Sequence, residues 1–115
     1  MEQGTLQQAL LVITNLPDAA LANALARQLV EQKLAACVNI LPGVKSIYRW
    51  QGAIEEATET CMLIKTTQLA YARLELAIKA AHPYDLPEII AVPIVAGWPA
   101  YLDWITQETK KDLHV

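Results

Sequence analysis

The pattern of strand-forming and helix-forming segments predicts an α+β domain of the ferredoxin-like, split βαβ plan, with a long central hairpin and an added C-terminal helix. Three observations predict it. The segments follow the order strand, helix, strand, strand, helix, strand, helix. Two units echo one another: "VITN" leads through a helix to "CVNIL", and "IKTT" leads through a helix to "IIAVPI". The two middle strands, 35–50 and 54–66, meet at the turn "WQGAI" and form one hairpin, bent near Pro42-Gly43.

The elements follow in order. "ALLVIT", 9–14, is short, β-rich and apolar on both faces, as a central strand is. A helix over 17–33 follows, with Asn15 as its cap and Pro17 where a helix can begin. Leu21, Leu25 and Leu29 recur every fourth position and Val30 widens that stripe. The second helix, 67–82, places Leu69, Leu76 and Ala80 on a face with Ala72 and Ala77, and pairs Glu75 with Lys79 outside. "PEIIAVPIV" is a strand, and 97–111 is a terminal helix with Trp98, Leu102 and Ile105 on one face. Residues 1–8 form a flexible N-terminal segment, 9–111 one domain and 112–115 a tail.

Bulk properties narrow the function classes. The chain of 115 residues is one domain with a real core. Its net charge of −3 and scattered basic residues, with Lys110-Lys111 the only pair, exclude a nucleic-acid footprint. Cys37 and Cys61 make no disulfide framework and read as core residues, which fits a reducing cytoplasm. No apolar run approaches a membrane span, and "MEQGTLQQALLVI" lacks the marks of a signal peptide.

Two features predict that the domain is not alone. An extended strand rises about 3.3 Å per residue and a helix only about 1.5 Å, so the hairpin tip outreaches the helices. "EIIAVPIV" is apolar on both faces, whereas the helices of this plan cover one. Hydrophobic residues at 54% and charged residues at 18% agree, leaving apolar surface for another copy of the chain to cover.

"ITNLPD", "EQKLAACVNILPGVKSIYRWQGAIEEATETCMLIKTT" and "HPYDLPEIIAVPIVAGWPAYLDWI" resemble the signature segments of the CutA family, described as divalent-cation-tolerance proteins. The resemblance runs from about Leu10 to Ile105. It implies a ferredoxin-like subunit in a tight cytoplasmic homotrimer, an architecture similar to that of PII signalling proteins, and binding of divalent metal, notably copper, in some members. Some members offer copper a Cys at the end of the first strand and a His-His pair before Pro-Tyr. Here Thr14 (or Asn15, if the register shifts by one) stands at the first position and Ala81-His82 at the second, so His82 alone remains.

Each candidate residue has two readings. His82 either finishes a helix before Pro83, where a histidine can bond a terminal carbonyl, or is a metal residue aided by Asp85 and Glu88. Tyr84 and Asp85, in a loop stiffened by Pro83 and Pro87, form a ligand wall or a subunit contact. Glu88 joins them, with Lys65 as a partner across the sheet. Tyr48 and Trp50 at the hairpin tip read as trimer interface in preference to a stacking site. Glu55 and Glu59 share one strand face and Glu56 takes the other, a solvated acidic edge or a weak hard-cation site. His114 lies in the tail, where it adds at most adventitious metal binding.

The expected function is a non-enzymatic homotrimeric binding protein tied to divalent-metal (copper) tolerance, with a metal ion or small anion as ligand. Two alternatives stand beside it: a PII-like signalling module that binds a metabolite or protein partner, and a structural trimeric scaffold. An enzyme is disfavoured because no nucleophile, activating base and oxyanion site occur together.

Overall fold

The computed structural model describes residues 6–110. The elements are β1 (Ala9–Leu16), α1 (Ala19–Glu31), β2 (Cys37–Trp50), β3 (Ala53–Thr67), α2 (Gln68–Ala81), β4 (Ile89–Pro93) and α3 (Pro99–Glu108). The sheet order is β2-β3-β1-β4, and the β2–β3, β3–β1 and β1–β4 pairs are all antiparallel. This is the split βαβ plan with an added helix. His114 lies outside the described residues.

Alternation along the central strands divides the sheet into two faces. Leu10, Val12, Thr14 and Leu16 of β1 are buried, as are Thr60, Met62, Ile64 and Thr66 of β3. Val12, Leu16, Met62 and Ile64 pack with Leu25 and Leu29 of α1 and Leu74 and Ile78 of α2 in one core. Leu11, Ile13 and Asn15, with Cys61, Leu63 and Lys65, point to the opposite face and are half-buried.

α3 covers one end of that opposite face. Ile105 is fully buried against Ala9 and Ala36, with Ile94 and Leu102 beside it. The Thr67 and Thr109 hydroxyls lie 3.3 Å apart beneath the helix end. Burial and the neighbouring Cys37 thiol push the Tyr101 phenol pKa upward, so Tyr101 sits over the same face. The rest of the face is open: Ile90 is 48% exposed and Val92 43%.

Local expectations for all three helices need correction. α1 begins at Asp18, whose Oδ1 accepts from the Leu21 N–H at 2.9 Å; Asn15 is still strand, because β1 runs through Leu16. The stripe of α1 is Ala22, Leu25, Ala26 and Leu29, with Leu21 and Val30 exposed. α2 buries Ala70, Leu74 and Ile78, leaving Leu69 and Leu76 exposed. The four-residue spacing of that trio fixes the face, and Glu75 takes a hydrogen bond from Tyr71 rather than a bridge from Lys79. On α3, Ile105 and Leu102 pack inward, but Trp98 is 76% exposed at the helix start.

α1 ends in a Schellman motif. The Leu34 N–H donates to Leu29 O and the Lys33 N–H to Val30 O, with Lys33 at φ 61°. A side chain there sits in the left-handed region that favours glycine. Lys33→Gly is expected to raise stability by about 0.5–1 kcal/mol, read as a higher melting temperature at fixed protein concentration.

The hairpin is long and projects. The molecule measures 46 × 29 × 22 Å. Gln51 and Gly52, at φ 50° and 84°, close it as a two-residue turn with both residues left-handed. Pro42 and Gly43 form a bulge: Leu41 pairs with Cys61, and Val44 with Glu59. The extra residue shifts the alternation of β2. Tyr48 and Trp50 therefore join the open face, while Ile47 and Ile54 lie on the other side, 64% and 62% exposed beyond the helices.

Candidate functional site

The α2-to-β4 connection meets the hairpin on the open face. α2 ends at His82, which leaves helical geometry at φ −80°, ψ 132°, as the residue before Pro83 is obliged to. Its backbone N–H donates to Ile78 O at 2.9 Å. The imidazole is buried at 8% exposure and serves both strand and loop. Nε2 donates to Asn15 O at 2.7 Å, and Nδ1 accepts from the Tyr84 N–H at 3.2 Å. These bonds define the Nε2–H tautomer and occupy both ring nitrogens. The acceptor is at the end of β1, not on the helix that His82 terminates.

The Tyr84 ring lies 4.8 Å from the His82 ring, and its hydroxyl donates to Glu59 Oε2 at 3.0 Å. Partial burial, the hydrogen bond to Glu59, the charge of Glu59 and nearby Tyr48 push the Tyr84 phenol up to about 12. Asn15 Nδ2 donates to Glu88 Oε1 at 3.1 Å. Between these two carboxylates stands Cys61, opposite Asn15 on β1; burial first, then Glu88 and Glu59, push its thiol upward.

These groups border a cleft of about 710 Å³. Asn15, Glu59 and Glu88 line it from the sheet region, Tyr48, Arg49 and Trp50 from the hairpin, and Tyr84, Asp85 and Leu86 from the loop. The structure thus brings Tyr84, Asp85, Glu88, Tyr48 and Trp50 together. It separates Lys65, which stands opposite Leu11 and Cys37 and whose Nζ donates to Asn39 Oδ1. The four residue steps from Leu11 to Asn15 span about 13 Å, so the expected Lys65–Glu88 pair does not form within the chain.

Glu59 and Asn15 enter the site in roles the sequence did not give them: it offered Glu59 as a solvated edge or weak hard-cation residue, and Asn15 as a helix cap or the alternative at the first-strand position. Glu59 is 8% exposed, unlike Glu55 and Glu56. No local pattern marks it, because its partner Tyr84 is distant in sequence. Cys37 and Cys61, read from the sequence as core residues, are free and half-buried on the face opposite α1 and α2.

The residues present do not fit a tight metal centre at His82. Both its ring nitrogens are engaged, Thr14 offers a buried hydroxyl, and Ala81 offers no donor. Among the described residues, no three His, Cys, Asp or Glu side chains converge as a metal would require. The Thr14 Oγ1 and Asn15 Oδ1 atoms are buried without partners.

The Tyr84–Glu59 contact has a titration signature. The folded phenol titrates near 12. An unperturbed phenol titrates near 10. The raised value contributes stability that is fully present below about pH 10 and is lost as pH rises through about 12. Ultraviolet titration is expected to show two tyrosines near 12, Tyr71 beside Glu75 and Tyr84 beside Glu59, of which only one moves down in Glu59→Gln.

Comparison with known proteins follows the same lines. The profile of the family described as CutA1 divalent ion tolerance protein matches residues 10–108. The divalent-cation tolerance protein CutA of Thermus thermophilus is 49% identical over 98 residues, covering 85% of this chain and 95% of that protein. The chloroplastic protein CutA of Arabidopsis thaliana is 39% identical over 102 residues, covering 89% of this chain but 56% of that longer protein. Of the solved structures, the divalent cation tolerance protein (Cut A1) from Thermus thermophilus matches with a TM-score of 0.87 and 47% identity, over 89% of this chain and 99% of that one. The periplasmic divalent cation tolerance protein CutA from Archaeoglobus fulgidus matches with a TM-score of 0.85 and 40% identity, again over 89% and 99%. With a profile match across nearly all of the described chain and relatives alike in sequence and fold, the chain belongs to the CutA1 family of divalent ion tolerance proteins.

Proposed function

We propose that the chain is a non-enzymatic homotrimeric binding protein in divalent-cation tolerance, with its ligand site in the cleft beside Tyr84, Asp85 and Glu88. The observation that carries this reading is the open sheet face: Ile90, Val92 and Leu41 are each more than 40% exposed beside the half-buried Leu11, Ile13 and Leu63. A contiguous apolar face of this kind marks an interaction surface. A second and third copy cover it most economically, since closed symmetric assemblies reuse the same patch. Tyr48 and Trp50 on one side of the hairpin, and Ile47 and Ile54 on the other, extend that contact. Lys65 lies on the same face, where a neighbouring copy meets it. Cys37 and Cys61, both free, suit the reducing cytoplasm.

His82 acts here as a structural group that ties the end of α2 to β1 and to the loop. Copper contact at His82 is accordingly weak, and the link to cations runs through the assembly and its cleft. The test is calorimetric titration of Cu(II) and Zn(II) into the protein and into His82→Ala, with mass followed by light scattering. Weak heats, alike in both proteins at a three-chain mass, are expected. Submicromolar binding of one metal per subunit, lost in His82→Ala, would overturn this assignment. A trimer that binds neither metals nor small molecules would leave only the scaffold.

A further inference from the structure

We propose that His82 is a proton-operated latch: the neutral ring ties the loop between Pro83 and Pro87 to the end of β1, and the imidazolium releases that loop. The proposal goes beyond the binding reading and stands whatever the cleft takes.

The bonding pattern admits one form of the ring. Nε2 meets a carbonyl, Asn15 O, at 2.7 Å; a carbonyl only accepts, so Nε2 carries the proton. Nδ1 meets the Tyr84 N–H at 3.2 Å; an N–H only donates, so Nδ1 carries none. An imidazolium has donors at both nitrogens. Its Nδ1–H would face the Tyr84 N–H, donor against donor, around a ring that is 8% exposed and has little water to intervene. The Nε2–H bond to β1 survives protonation, so the ring stays and the loop parts from it. Both bonds lie within one chain and the ring is already buried, so coverage of the sheet face by another copy leaves this inventory as it is.

Release travels through Tyr84. This residue holds the loop at two points, its backbone to His82 and its phenol to Glu59, with the two rings 4.8 Å apart. Loss of the first point loosens the second. Imidazole is the side chain that changes charge between about pH 5 and 8. The other titratable groups around it come from every neighbouring element. The loop brings Tyr84 and Asp85, β3 brings Glu59 and Cys61, and Glu88 bonds the Asn15 amide ahead of β4. Lys79 lies in the last turn of α2, Asp18 caps α1, and Arg49 of the hairpin lines the same cleft. Tyr84 and Cys61 are both shifted upward and stay neutral through that range. The carboxylates are separated from the ring by substitution.

The experiment follows the isotope-labelled full chain by NMR from about pH 8 to about pH 5, with mass read by light scattering at each step. The ring signal absent from His82→Asn belongs to His82, which separates it from His114. At the upper end the ring is expected to report the Nε2–H tautomer. As the ring becomes charged, the protection factor of the Tyr84 amide, which corrects for the intrinsic pH dependence of exchange, should fall about tenfold or more at unchanged mass. Glu59→Gln should keep that fall. His82→Asn, which cannot titrate and offers an oxygen near the Nδ1 position, should lack it. The ring and amide signals of the unmodified chain decide the matter even where His82→Asn does not fold. An Nδ1–H tautomer, Tyr84 protection that stays flat while the ring titrates, or a ring that stays neutral until the whole protein unfolds would each overturn the latch. A fall shared by His82→Asn, or lost in Glu59→Gln, would overturn it by assigning the step to a carboxylate. A fall that only accompanies a drop in mass would overturn it too, because the assembly and not the ring would then hold the loop.

Discussion

Val92→Asp is expected to convert the protein to single chains without unfolding it. Val92 stands on the short edge strand β4, opposite Leu11, and is 43% exposed in the isolated chain. An aspartate there remains solvated as long as the face is open, so the fold tolerates it. Once copies cover the face, the same carboxylate enters an apolar contact without a partner. That costs several kcal/mol for each copy, and the proposed trimer would contain three such positions. Light scattering should therefore report single-chain mass, while circular dichroism retains the mixed helix and strand signal. Val92→Ala serves as the control and keeps the assembled mass. An assembled mass for Val92→Asp would mean that this end of the face is not the contact.

The second large effect concerns the core. Leu74→Ala should destabilise the protein by about 2–5 kcal/mol, whereas Leu76→Ala should stay within about 0.5 kcal/mol. Leu74 is fully buried in the cluster formed by both helices and the inner sheet face; Leu76, two residues later, is 70% exposed. Denaturant unfolding at one fixed protein concentration separates the two, since an assembled protein's apparent stability depends on concentration. Similar losses in both variants would mean that α2 packs through a different face.

The comparison of these two leucines shows where sequence pattern stops informing. Leu69 and Leu76 are larger and more conspicuous than Ala70, yet α2 buries Ala70, Leu74 and Ile78. Helical spacing supports more than one stripe, and the close approach of α2 to the sheet favours the stripe with an alanine in it. Likewise Asn15 and Asp18 are both capping residues by type, but continuation of β1 to Leu16 leaves the cap to Asp18. The element order, the hairpin turn at Gln51-Gly52 and the bend at Pro42-Gly43 were legible, because glycine, proline and period-two patterning are local signals.

The cleft was legible in part. The loop between Pro83 and Pro87 announced Tyr84 and Asp85, and the aromatic hairpin tip announced Tyr48 and Trp50. Their meeting was not announced, since it depends on the bulge that turns Tyr48 and Trp50 to the open face. Glu59 looked like one of three solvated glutamates and gains its burial from a contact with Tyr84. Lys65 and Glu88 share a face but not a place on it, a distinction that only the strand register sets. His82 was legible as the end of a helix; that both its nitrogens are engaged, one by β1 and one by the loop, is a tertiary fact.

Coverage of the apolar sheet face by copies of the same chain is the central claim of the proposed assembly. Sedimentation equilibrium on the unmodified protein, from nanomolar to high micromolar concentration, decides it. A mass three times that of one chain is expected across the range. A single-chain mass at micromolar concentration, with Ile90, Val92 and the hairpin left in water, would contradict it.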